Sequence, residues 1–350
     1  MRMRKKLLDL SKCTSGDVIA RDVYGPNGIL LVAEGTKLND FLIEQLSKRE
    51  VAVIPVLLEF EPNQGYDEQS FHQFVESYGE KVDSIKGMIQ ELAAGKPMDY
   101  SKVSGMVDSI YQQAHEKNHI TVYLSTLKSY DQYTYHHSIN VALYSMLIAQ
   151  WLNLPEQQIK EAIQAGMLHD IGKSLIPAEI INKRGRLEEE EFALVKKHPV
   201  IGYNLAKTVP ELSEAVLKGI LMHHEREDGT GYPLGASGEQ IGIIAKIVAV
   251  ADVYDALTSQ RAYKPRQTPF HTFQLMERTG LGHFDTRILL TFLKNIASYY
   301  TGAGVIVNTG KKGRVAYVAP HNISRPVVEL GRDYVDMARE EELDIVEMID

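Results

Sequence analysis

The stretch Gln164-Ala165-Gly166-Met167-Leu168-His169-Asp170-Ile171-Gly172-Lys173 sets an imidazole beside a carboxylate, with an ammonium group three residues on. The run leading into it carries Ile159, Ala162, Ile163 and Met167 at helical spacing, so His169 and Asp170 are predicted to close a buried helix. Helix ends are where side chains leave a core and meet ligands. Adjacent helical residues point about 100° apart, so both reach one metal ion only if other segments deliver further ligands.

Working outward, apolar helical periodicity continues over residues 125–300, with few strand candidates. Before it, residues 18–20 and 29–33 read as short strands about a Gly25-to-Gly28 turn, 37–49 as a helix and 51–56 as a third strand. Residues 67–92 and 100–116 read as two helices broken at Ala94-Gly95-Lys96-Pro97. Their stripe of Phe74, Val75, Val82, Ile85 and Ile89 suits either core or a homodimer seam. Beyond Gly302, residues 305–307, 315–318 and 325–328 read as a strand meander around Gly310 to Gly313. The expected fold is mainly α: a small mixed α/β N-terminal unit (1–60), structural or regulatory; a helical connector (61–120); a helical domain bearing the chemistry (121–300); and a short β C-terminal extension (301–350).

Composition bounds the function. Of 350 residues, 44% are apolar and 24% charged, which supplies ample material for a core. The net charge of -8, with no basic block longer than Lys311-Lys312-Gly313-Arg314, argues against an extended nucleic-acid partner, which needs many phosphate contacts. A small anionic substrate is compatible, because locally clustered cations override an acidic average. Cys13 is the only cysteine, so no intrachain disulfide is expected and a reducing compartment fits. The basic opening is interrupted by Asp9, Ser11 and Lys12, unlike a signal peptide, and the apolar run 241–251 is too short to span a bilayer and carries Lys246. A cytoplasmic protein without a transmembrane segment is expected.

Further ligand-type residues flank the opening stretch. His136-His137 begins an amphipathic segment, and only one of the two need turn inward. His198 stands near a helix end, and His223-His224-Glu225 closes another helix before the turn Asp228-Gly229-Thr230-Gly231-Tyr232-Pro233. Asp252 interrupts an otherwise apolar helix face, where an unpartnered carboxylate costs several kcal/mol or neutralises itself. Each residue alone fits an ordinary core or surface role; five imidazoles and two carboxylates in one helical domain do not. Nitrogen and oxygen donors without thiolate suit iron, manganese, zinc, cobalt or nickel. Seven ligands exceed one tetrahedral site, so at least two ions are expected, bridged by Asp170 at the centre of the order. Two ions about 3.5 to 4 Å apart clamp the attacking and leaving oxygens of a phosphoryl group and hold a hydroxide at neutral pH. That chemistry is phosphoester hydrolysis.

The set His137, His169-Asp170-Ile171-Gly172-Lys173, His198-Pro199, His223-His224-Glu225, Asp228-to-Pro233, Asp252, Arg261-Ala262-Tyr263-Lys264 and Gly282-His283-Phe284-Asp285 resembles the HD-GYP family of the HD phosphohydrolase superfamily. The resemblance covers about half the chain, residues 125–300. It implies an HD-type helical bundle that hydrolyses cyclic di-GMP to linear pGpG or GMP through a hydroxide bridging two divalent ions, iron or manganese foremost. It also implies His137, His169, Asp170 and Asp252 as ligands of the first ion, and His198, His223 and His224 as ligands of the second. Lys173 would meet the scissile phosphate and offset its developing charge. Arg261 and Lys264 would hold the second phosphate or the guanine edges, and Asp131 would accept from a guanine amine. Gly231, Tyr232 and Pro233 would border the cleft as a substrate-side turn or as a docking loop for a signalling protein. In one departure, Tyr133 stands where some members carry a glutamate for a third ion, so two ions are expected. The rival readings are a non-hydrolytic cyclic di-GMP receptor and an HD hydrolase for another nucleotide, such as a hybrid cyclic dinucleotide or an alarmone. All seven ligand positions are kept, which favours hydrolysis.

Overall fold

The computed structural model describes residues 4–25, 28–49, 51–58, 68–116, 133–183, 185–259, 268–331 and 333–349. The chain divides into two compact units, one made of Met1–Asp67, Gln267–Leu275 and Leu293–Asp350, the other of Glu68–Arg266 and Met276–Phe292.

In the first unit, β1 (Arg4–Asp9), β2 (Val18–Ile19), β3 (Val23–Tyr24) and β4 (Leu30–Val32) precede helix α1 (Asp40–Lys48) and strand β5 (Val53–Leu58). Asn39 starts α1 by accepting the Leu42 N–H on its side chain, the usual service of an asparagine at that position. β5 lies between β1 and β2, antiparallel to both. β1 was not legible as a strand, because its Arg4-Lys5-Lys6 start lacks apolar alternation; pairing of Lys6 with Val56 and Leu8 with Ile54 on β5 makes it one. The C-terminal strands β6 (Gly304–Val307), β7 (Lys312–Ala319), β8 (Asn322–Leu330), β9 (Asp333–Asp336) and β10 (Ile345–Ile349) form an antiparallel sheet ordered β10-β6-β7-β8-β9. Ile19, Leu42, Leu46, Ile54 and Val56 share one apolar cluster with Ala316, Tyr317 and Val327, so both ends of the chain build a common core.

The second unit is helical. It contains α2 (Glu68–Ala93), α3 (Tyr100–Glu116), α4 (Tyr133–Trp151), α5 (Glu156–Leu168), α6 (Ala178–Ile181), α7 (Glu189–Val195), α8 (His198–Ala206), α9 (Glu214–Met222) and α10 (Ile243–Thr258). Two further helices, α11 (Pro269–Gly280) and α12 (Thr286–Ser298), follow in sequence. Residues 137–149 of α4 are buried on every side, as expected of a helix with no polar face, and α4 packs against α5 and α10. Phe74, Val82 and Ile85 of α2 are buried within the chain itself, while Val75 and Ile89 of the same stripe are half-buried. Among the described residues, no helix is long and apolar enough to cross a membrane. The architecture is mainly α, with small β-containing parts toward both termini.

Candidate metal centre

Five helices deliver the donors. His137 lies in the second turn of α4, His169 and Asp170 follow α5, His198 opens α8, His223 and His224 follow α9, and Asp252 sits within α10. Chain packing forces the convergence at one point above all: a Cβ added to Gly172 would stand 2.0 Å from the His198 carbonyl oxygen and 2.6 Å from the Gly202 nitrogen. Only glycine lets the 3-10 turn Ile171–Leu175, which follows Asp170, press so closely on α8.

The side chains fall into two groups, His137 with His169 and Asp170, and His198 with His223 and His224, and within each group the donor atoms lie within 4.8 Å of one another. Asp170 stands between them. Its Oδ2 is 3.4 Å from His169 Nε2 and 3.8 Å from His137 Nε2, while its Oδ1 is 3.3 Å from His198 Nε2. Asp252 divides in the same way, with Oδ1 3.1 Å from His137 Nε2 and 3.9 Å from His169 Nε2, and Oδ2 3.9 Å from His224 Nδ1.

The tautomers follow from local hydrogen bonds. His169, His198 and His223 each donate Nδ1–H to the carbonyl three residues earlier, on Gly166, Val195 and Ile220, at 2.7 to 2.8 Å. Their Nε2 lone pairs therefore face the centre. Two such lone pairs, on His198 and His223, meet at 3.2 Å, an arrangement that repels unless a cation lies between. His169 Nε2 and Asp170 Oδ1 are buried without a hydrogen-bond partner, and unsatisfied buried polar atoms are costly. These atoms fit bound divalent metal. His137 differs in donating Nδ1–H to the buried Asp255 carboxylate at 2.8 Å, a pairing that orients an imidazole and raises its basicity toward a metal. The sequence reading missed Asp255; a second acid three residues beyond Asp252 on an apolar helix was the available signal.

The electrostatics agree. Burial alone would raise the Asp170 pKa, but Lys173, His169 and His198 outweigh it and hold the carboxyl well below its ordinary value. Asp252 is likewise lowered, its burial outweighed by His137, His169 and His224. Burial would depress His137, yet Asp252 and Asp255 raise it to about 10. Burial dominates for His198 and His224, both lowered to about 4, and for His223, also lowered. Lys173 Nζ lies 2.6 Å from Asp170 Oδ2, at the mouth of the site.

The Gly-Tyr-Pro turn borders this centre. Glu225, 3% exposed, accepts the backbone N–H groups of Leu234 at 2.6 Å and Ala236 at 3.0 Å, so a buried carboxylate pins the loop. Tyr232 donates its N–H to the His224 carbonyl at 3.2 Å, and its ring centroid is 4.7 Å from that of His224. A Cβ at Gly231 would stand 2.4 Å from Glu225 Cα. The His283 carbonyl accepts from Glu227 N–H at 3.0 Å, so the Gly282-to-Asp285 segment supports the same turn. Asp131, Arg261 and Lys264 lie outside the described residues, as does the side chain of Tyr133.

A helical bundle with paired histidine clusters sharing a carboxylate defines a metal-dependent phosphohydrolase of the HD type. An HD domain family model matches residues 117–288. The chain is 34% identical over 292 residues to cyclic di-GMP phosphodiesterase PA4108 of Pseudomonas aeruginosa, covering 83% of this chain and 70% of that protein. It is 45% identical over 125 residues to the cyclic di-GMP phosphodiesterase response regulator RpfG of Xanthomonas campestris pv. campestris, covering 35% of this chain and 32% of that one. Among solved structures, Bd1817, an HDG"Y"P protein from Bdellovibrio bacteriovorus, is similar with a TM-score of 0.54 at 16% identity, covering 83% of this chain and 98% of that chain; at this identity the likeness shows the fold. The chain belongs to the HD-GYP family of HD-domain phosphohydrolases, a family whose domain binds divalent metal.

Proposed function

We propose that this chain is a cyclic di-GMP phosphodiesterase with two divalent ions, yielding linear pGpG, GMP or both. The observation that carries the reading is the division of Asp170 between two imidazole groups, with buried donor atoms left over on each side. His137, His169, Asp170 and Asp252 would hold one ion, and His198, His223 and His224 the other, with Asp170 shared. Bound divalent metal supplies an activated water at neutral pH and positive charge beside the phosphate. Iron and manganese come first from the family resemblance, and zinc, cobalt and nickel suit the same nitrogen and oxygen donors.

The chain's own residues supply the rest. The depressed pKa of Asp170 keeps it anionic and able to share two cations. Lys173, a third exposed at its side chain, is placed to leave Asp170 for the scissile phosphate and oppose the charge that grows in the transition state. Tyr232 has its hydroxyl pKa raised, by burial first and then by Asp252 and Asp170, so it meets substrate as a neutral phenol. Asp131, Arg261 and Lys264 carry guanine and phosphate contacts in this reading, and Gly231, Tyr232 and Pro233 form one wall. Residues 121–300 are the catalytic part, residues 1–60 a structural or regulatory part, and the location is cytoplasmic.

The names of the relatives supply cyclic di-GMP as the first substrate to try. The test is a panel of cyclic di-GMP, a hybrid cyclic dinucleotide and an alarmone, incubated without air with Mn²⁺ or Fe²⁺ and resolved by chromatography. Cyclic di-GMP should be consumed fastest. Tight binding without turnover would replace the enzyme with a receptor, and preference for another nucleotide would replace the substrate.

A further inference from the structure

The path from Asp255 does not stop at His137. Asp255 Oδ1 accepts from Asn140 Nδ2 at 3.0 Å and from Ser259 Oγ at 3.1 Å, while its Oδ2 takes the His137 Nδ1 proton. An ionised carboxylate only accepts, so the amide of Asn140 must point its NH₂ at Asp255 and its oxygen the other way. That oxygen meets the Tyr78 hydroxyl at 2.8 Å. The phenol has one proton, and of its two acceptors the Asn140 oxygen at 2.8 Å is nearer than the His136 carbonyl at 3.3 Å; the His136 Nδ1, 3.1 Å away, then faces the phenol oxygen. Tyr78, Asn140, Asp255 and His137 are all buried. Burial and then Asp255 raise the Tyr78 pKa, which keeps the phenol a neutral donor.

Tyr78 belongs to α2, which lies wholly before the residues matched by the HD domain model. The same helix packs on α4 and on the 3-10 turn Ile171–Leu175, so it touches the elements bearing His137 and Lys173. We infer that Tyr78 is a positioning residue for the metal centre: through Asn140 and Asp255 its hydroxyl fixes the orientation of His137, making α2 a part of the site. Without that hydroxyl, the Asn140 oxygen is buried and unpaired, the amide is free to turn, and Asp255 loses a fixed donor. His137 then keeps its proton on Nδ1 less firmly, and its Nε2 lone pair is less well aimed.

The inference rests on the proposed metal centre. It is tested by calorimetric titration of Mn²⁺ into metal-free full-length chain, wild type and Tyr78→Phe, with thermal melts of both. The ring and its packing survive this change, and Mn²⁺ affinity should fall by about 10-fold, the lower end of what outer partners of metal ligands carry. Asp255→Asn should cost more, up to about 100-fold. The double variant should bind no worse than Asp255→Asn alone, since both act through one path. Phe74→Leu, on the same helix, should lower the melting midpoint and leave affinity within twofold. If Tyr78→Phe does not fold, Asn140→Ser cuts the path one link further on and should weaken Mn²⁺ binding at least 10-fold. Unchanged affinity in Tyr78→Phe, additive losses in the double variant, or an equal loss in Phe74→Leu overturns the inference alone. Failure of wild type to bind Mn²⁺ overturns the metal centre with it.

Discussion

Replacing Gly172 by alanine tests how the centre is assembled. The added Cβ would lie 2.0 Å from the His198 carbonyl oxygen, whereas real Cβ contacts essentially never fall under 3.0 Å, so α8 and the turn after Asp170 must separate by about 1 Å. The atoms in the way are backbone, which no rotamer change removes. His198 rides on the first residue of α8, with Nε2 3.3 Å from Asp170 Oδ1. Metal–ligand distances hold to within about 0.2 Å, so such a displacement takes His198 out of any coordination shell it shares with Asp170. The donors on the other side, His137, His169 and Asp252, come from α4, α5 and α10 and keep their places. Overpacking of this kind costs about 1 to 3 kcal/mol. Elemental analysis of Gly172→Ala, purified without air, should show one ion per chain against the two expected of wild type, with a lower melting midpoint and little turnover of cyclic di-GMP. Two ions, wild-type activity and an unchanged midpoint would refute the reasoning.

Other outcomes follow from the same geometry. Lys173→Ala should keep its metal, because Lys173 is no ligand, and lose about 10²- to 10³-fold in kcat, as removal of one transition-state donor does; metal content and steady-state kinetics on one preparation check both halves. Gly231→Ala should drive the loop off Glu225 and Arg226, whose backbone atoms lie 2.4 to 2.5 Å from the added Cβ, raising KM while metal content holds. The metal-free chain should be acid-sensitive. His198 and His224 have folded pKa values of about 4 against an ordinary 6.5, so the unfolded chain binds more protons between those values; their contribution is complete above pH 6.5 and is lost as pH falls. At about 1.4 kcal/mol per unit, each loses about 2 kcal/mol by pH 5. His137, raised to about 10, acts oppositely, contributing below pH 6.5 and losing that contribution as pH rises toward 10. Melts of chelator-stripped protein from pH 5 to 10 should show a maximum near neutrality, and a flat profile would contradict these assignments.

The candidate metal ligands drew attention in sequence where they break an apolar pattern. Asp252 follows directly on the apolar run Ile247 to Ala251, and His223-His224 closes another apolar helix, so burial without a partner was the signal. The choice between His136 and His137 came from the family resemblance and was not legible in the residue pattern itself. It is decided by α4, which turns His137 toward Asp252 and Asp255 and leaves His136 stacked on Tyr78 with ring centroids 5.3 Å apart. Glu225 read as part of a motif without a role, because its partners are backbone N–H groups nine and eleven residues later, and main-chain donors carry no sequence signal. β1 was missed because its strand character comes from β5, about fifty residues away; the shared core of the N- and C-terminal strands was foreseeable from size, since neither β unit is large enough to be comfortably stable alone. Tyr78 was not singled out in sequence; its hydroxyl acquires meaning only once Asn140 lies beside it.

The most direct test is anomalous diffraction from crystals of the full chain grown without air in Mn²⁺. Two peaks about 3.5 to 4 Å apart, one among His137, His169 and Asp252, the other among His198, His223 and His224, with Asp170 touching both, are the predicted result. A single peak, a third peak in the site, or manganese bound away from Asp170 would contradict it.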